Sequence, residues 1–86
     1  MLRLGVIGIV LRPDKDTAAK VQSLLSDFSD IIVGRMGVPD KENNINAISV
    51  IVKGSSEAIS ALSGKLGKLN GVSVKSALTA FEIPEV

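Results

Sequence analysis

Eighty-six residues suffice for one domain. A net charge of +1 gives no broad basic field for nucleic acid. With neither Cys nor His, the chain has no disulfide, thiolate zinc site or cysteine-held iron–sulfur cluster, and it lacks the commonest general base. The apolar fraction is 45%, almost wholly aliphatic, with two Phe and no Trp or Tyr. A small domain this apolar is expected to hide surface against another copy of itself.

Leu4–Leu11 is a β-branched apolar run containing Gly5 and Gly8, and it reads as a buried strand. It is far shorter than the roughly 20 residues of a membrane helix. The N-terminus carries one Arg and no small-residue cleavage site, so a cytoplasmic protein is expected, without a membrane partner. Arg12-Pro13-Asp14 ends the strand, and Asp14 is placed to cap a helix over Lys15–Ser29. Val21, Leu24, Leu25 and Phe28 form that helix's apolar face.

Ile31–Val38 reads as a second strand, Pro39–Asn44 as a polar turn and Ile45–Val52 as a third strand. Gly54 stops it, and Ser55 or Ser56 can cap a helix over Ser56–Lys68. Asn70-Gly71 turns the chain into a fourth strand, Val72–Leu78. The pattern gives no place to Phe81–Val86. The expected organisation is one domain over residues 1–79 and a C-terminal tail at 80–86. The order β-α-β-β-α-β with right-handed crossovers gives an α+β ferredoxin-like sandwich: a four-stranded antiparallel sheet of order 4-1-3-2, with two helices on one face.

Both central strands are then apolar in both directions. Leu4, Val6 and Val10 alternate with Ile7, Ile9 and Leu11, and Ile48, Val50 and Val52 alternate with Ala47, Ser49 and Ile51. Simple alternation sets Val33 and Arg35 against Ile32, Met36 and Val38, and sets Lys75, Ala77 and Thr79 against Val72, Val74 and Leu78. The uncovered face is expected to be small and apolar in its centre, with Arg35 and Lys75 on its edges. That pattern suits a homo-oligomer, dimer or tetramer.

Gly64-Lys65-Leu66-Gly67-Lys68 has the residue types of a phosphate loop but the wrong spacing, and it closes a helix instead of opening one. Lys65 and Lys68 suit the negative end of the helix dipole, and Gly67 or Gly71 can take the left-handed cap conformation. Gly64 inside the helix costs about 1 kcal/mol against alanine, so a close neighbour or a ligand is expected there. The Arg12–Lys15, Pro39–Asn44 and Lys68–Gly71 loops fall at one end of the domain, where a solvated cluster competes with a site for a small anionic or amino-acid-like effector. Gly34 and Gly37 flank Arg35, which either meets an anion or serves as an interface or edge charge. No catalytic set, cofactor site or metal site can be assembled, so a non-enzyme is expected.

Leu4–Ile9, Ile32–Pro39, Ile48–Val52 and Ser60–Ala77, in this order and spacing, resemble a family of short bacterial proteins labelled iron-only hydrogenase system regulators. The resemblance spans residues 3–79. It implies a fold close to the ACT domain and to the sensor domain of the nickel-responsive repressor, domains that oligomerise through their sheets and bind small effectors at the junctions. The repressor's sensor holds nickel with His and Cys, which this chain lacks. No segment is left for a DNA-binding module either, so direct nucleic-acid binding is disfavoured. The resemblance implies a regulatory domain that either influences transcription through a partner or is a bare sensor. The rival readings are an assembly partner in hydrogenase maturation without a ligand, and a small dimeric ferredoxin-like enzyme.

Overall fold

The computed structural model describes residues 1–85. The elements are β1 (Leu2–Leu11), α1 (Lys15–Asp27), a short 3-10 turn (Ser29–Ile31), β2 (Ile32–Asp40), β3 (Ile45–Gly54), α2 (Ser56–Gly67) and β4 (Val72–Ile83). The sheet is antiparallel throughout, in the order β2-β3-β1-β4, which is the ferredoxin-like arrangement.

Helix ends follow the caps in the sequence. The Asp14 side chain accepts from the Asp16 amide at 3.0 Å, and the Ser55 hydroxyl accepts from the Ala58 amide at 3.1 Å. Each satisfies one of the orphan donors of a helix N-terminus. Gly71 carries a φ of +79° in the turn into β4, the left-handed conformation that glycine tolerates without strain. Asn44, with φ of 55°, closes the β2–β3 hairpin.

The core lies between the helices and one sheet face. Ile7, Ile9 and Leu11 of β1 and Val50 and Val52 of β3 meet Val21 and Leu25 of α1 and Ile59, Leu62 and Leu66 of α2. Burial of each such side chain contributes about 1.5–3 kcal/mol. Among the described residues, no polar or charged side chain is buried, so the interior is wholly apolar.

Two irregularities set the edges. Ile32 pairs with Val52 and Gly34 with Ile51, so Val33 is an extra residue in β2. Beyond this bulge the side chains exchange faces. Arg35 lies opposite Val50 on the helix side, while Met36 and Val38 lie opposite Ser49 and Ala47 on the open side. Uninterrupted alternation places these residues the other way round, and the bulge is the reason it fails here. In β4, Gly5 pairs with Leu78 and Arg3 with Glu82, so residues 79–81 bulge past Leu4. The strand then resumes through Ile83, tied by Arg3–Glu82 at 3.6 Å and by the Thr79 hydroxyl donating to the Leu4 carbonyl at 3.0 Å. Phe81–Ile83, which fit no sequence pattern, thus continue the edge strand. Pro39 sits on the other edge, where its missing N–H costs no ladder bond.

Gly5 has no room for a side chain. A Cβ there would stand 2.6 Å from Leu78 Cδ2 and 2.9 Å from the Ala77 carbonyl oxygen, whereas one at Gly8 would meet nothing closer than 3.8 Å. Gly5→Ala is therefore expected to destabilise by about 1–3 kcal/mol, with Gly8→Ala close to neutral. Urea denaturation of the two variants measures the difference.

Candidate functional site

The helices cover one sheet face and leave the other bare. On the bare face Val6 and Val10 of β1, Ile51 of β3, and Met36 and Val38 of β2 are exposed, Met36 to 65% and Val38 to 52%. Ala47, Ser49, Gly8 and Ala77 lie among them, and Lys75 stands opposite Gly8 on the β4 side. A shallow depression of 240 Å³, lined by Val10, Met36, Val38 and Ala47, lies on this face. Lys75 is where alternation puts it. Arg35 is not, so the charge on the β2 edge of this face is missing and methionine and valine take its place.

The three loops expected at one end do meet there. An Arg12 guanidinium N–H donates to the Asn43 carbonyl at 3.5 Å, joining the β1–α1 loop to the hairpin. Beside it a 410 Å³ depression is lined by Arg12, Asp14, Thr17, Asn70 and Gly71. Arg12 offers a guanidinium fork. Asp14 spends part of its carboxylate on the α1 cap, through Asp16 and the Thr17 hydroxyl, and keeps acceptor capacity for a cation. Across the hairpin, hydrogen bonds from the Asn43 side chain and backbone hold the Asp40 carboxyl below its ordinary pKa.

The remaining candidates lie elsewhere. Lys65 and Lys68 line a groove between α1 and α2, with Lys20, Ser23, Leu24 and Leu69. Arg35 donates to the Gln22 side-chain oxygen on α1, and both line a 260 Å³ depression with Gly37 and Pro39. Gly34 lies on the bare face opposite Ile51. The candidates Arg12, Asp14, Gly34, Arg35, Gly37, Lys65, Lys68 and Lys75 are thus spread over four places, and Gly64, exposed on α2, lines none of them. Thr17, Lys20, Gln22 and Asn70 complete these places, and periodicity alone does not single them out. The grouping of Thr17, Lys20 and Gln22 follows from how α1 is rotated on the sheet, and that of Asn70 from the turn into β4. Among the described residues, no three carboxylates gather closely enough to hold a metal ion, and no helix is long and apolar enough to cross a membrane.

Residues 3–76 match the model of the TM1266-like family, described as "Iron-only hydrogenase system regulator, putative". The chain belongs to this family. Among solved structures it is similar to TM1266 from Thermotoga maritima, an uncharacterised protein, at 36% identity and a TM-score of 0.88, covering 91% of this chain and 98% of that one. It is also similar to the ACT domain from GTP pyrophosphokinase of Chlorobium tepidum (19% identity, TM-score 0.75, 90% of this chain and 100% of that one). A third likeness is to the C-terminal domain of the MgtC protein from Mycobacterium tuberculosis (13% identity, TM-score 0.71, 98% and 95%). No curated protein matches the chain in sequence. Membership of the TM1266-like family supports a regulatory role, and the likeness to the ACT domain supports the fold.

Gly64 separates a local from an intermolecular cause. A Cβ there would meet nothing within 4 Å, so no neighbour within the chain requires glycine. Gly64→Ala is expected to stabilise the isolated protein by about 1 kcal/mol through helix propensity, read by thermal or urea unfolding. A loss of stability would mean that another molecule packs against this turn.

Proposed function

We propose that this TM1266-like protein is a non-enzymatic sensor domain that assembles through its bare sheet face and takes a small effector at the loop end. The observation that carries the reading is the bare face itself. Five apolar side chains, Val6, Val10, Met36, Val38 and Ile51, stay exposed on one side of a four-stranded sheet. Burying roughly 400 Å² of apolar surface per subunit on such a face would contribute about 10 kcal/mol before association costs.

The effector class is argued from the loop-end depression. Arg12 suits a carboxylate and the free capacity of Asp14 suits an ammonium, so a small amino-acid-like zwitterion fits better than a multiply charged anion. The effector would bias the assembly through whichever state holds the three loops in register.

Two measurements test the two halves of the proposal. Sedimentation velocity should find an oligomer for the parent chain and a monomer for Met36→Glu/Val38→Glu, with unchanged far-UV circular dichroism. A parent chain that sediments as a monomer would overturn the assembly. A panel of free amino acids should contain one that raises the melting temperature on the order of ten degrees at saturation. Arg12→Ala should abolish that shift, and a panel without effect would overturn the effector.

A further inference from the structure

The outer surface of the helix layer holds a second kind of site. The groove between α1 and α2 has a volume of 330 Å³ and is lined by Lys20, Ser23, Leu24, Lys65, Lys68 and Leu69. Its floor is apolar, made by Leu24 of α1 and Leu69 just past α2, both half-buried. Its rim is cationic, and the Lys65 ammonium stands 5.5 Å from the centre of the Phe28 ring. No carboxylate belongs to the lining. Among the described residues, none of the three lysines has a carboxylate within 4 Å.

Helix-dipole complementarity accounts for Lys65 and Lys68 at the end of α2, but not for Lys20, which lies mid-helix in α1 one turn before Leu24. Three like charges around one apolar depression repel one another. An occupant carrying carboxylates would relieve that repulsion and cover the leucines at the same time. The depression is shallow and open, which suits a side of a protein better than an enclosed small molecule.

We propose that the α1–α2 groove is a docking surface for an acidic amphipathic helix of a partner protein. One or two aliphatic side chains of that helix seat on Leu24 and Leu69, and its flanking carboxylates meet Lys20, Lys65 and Lys68. The groove lies on the opposite side of the domain from the bare sheet face, so occupying it leaves the sheet free. The proposal stands apart from the effector and from the sheet-mediated assembly.

The test uses the full chain, labelled with nitrogen-15. The probe is a synthetic helical peptide with leucines one turn apart and glutamates on either side of them. Amide shifts should concentrate at Lys20, Ser23, Leu24, Lys65, Lys68 and Leu69. Affinity should fall roughly tenfold for K65E/K68E, and similarly when the peptide's glutamates are replaced by glutamines. It should also weaken steeply with salt, because rim charges are screened. K65Q/K68Q, with an unchanged melting temperature, separates lost docking from lost folding. No shifts, shifts confined to the sheet face or loop end, or affinity indifferent to these substitutions would overturn the proposal. So would pyrophosphate reproducing the groove shifts while the peptide leaves them unmoved, since that outcome assigns the lysines to a small anion.

Discussion

A sheet whose two central strands are apolar on both faces, with helices enough for one face only, is the constraint from which the rest of this molecule follows. β1 sends Ile7, Ile9 and Leu11 into the core and Val6 and Val10 away from it. β3 sends Val50 and Val52 inward and Ile51 outward. Inward side chains supply the stability of the folded chain. Outward ones gain nothing from folding a single copy, and their composition is intelligible when a second surface covers them. Polar chemistry is pushed to the periphery, to the loop end, the edge strands and the outer side of the helices.

That layering separates contacts which many small domains must combine. The sheet face is broad and apolar in its centre, the loop end offers one guanidinium and one carboxylate, and the helix layer offers lysines around leucines. Each has a different chemistry, so three kinds of neighbour can be distinguished without competing for the same surface. For a TM1266-like chain of this size, such a division would let one domain join the proposed assembly and still present specific surfaces outward.

Much of the architecture is legible in the sequence because the responsible signals are local. Alternation in β1, β3 and β4 sorts the residues into the two sets that the structure has, with Ile7 and Val50 in the inward sets and Lys75 and Ala77 in the outward one. Asp14, Ser55 and the Asn70-Gly71 turn mark the element ends with the hydrogen bonds and backbone angles that the structure has. What is not legible depends on cross-strand or cross-helix registration. Val33 is as apolar as its neighbours and carries no sign of being the extra residue, yet it decides where Arg35 points. Residues 79–81 break the period of β4, so the continuation to Ile83 becomes visible only through its pairing with Leu2 and Arg3. Lys20 joins Lys65 and Lys68 because of how α1 is turned against α2, which helical spacing within α1 does not specify.

The bulge at Val33 also bears on how related chains should be compared. Side-chain direction in β2 is fixed by the pairing with β3, and the one extra residue between Ile32 and Gly34, whatever its identity, puts residue number out of step with face. A relative lacking that one residue would pair without a bulge and keep the basic residue under the helices and the methionine on the bare face, its numbering offset by one from here on. Insertions and deletions at this point therefore carry more structural information than substitutions. An alignment that slides through it without a gap equates residues lying on opposite sides of the sheet.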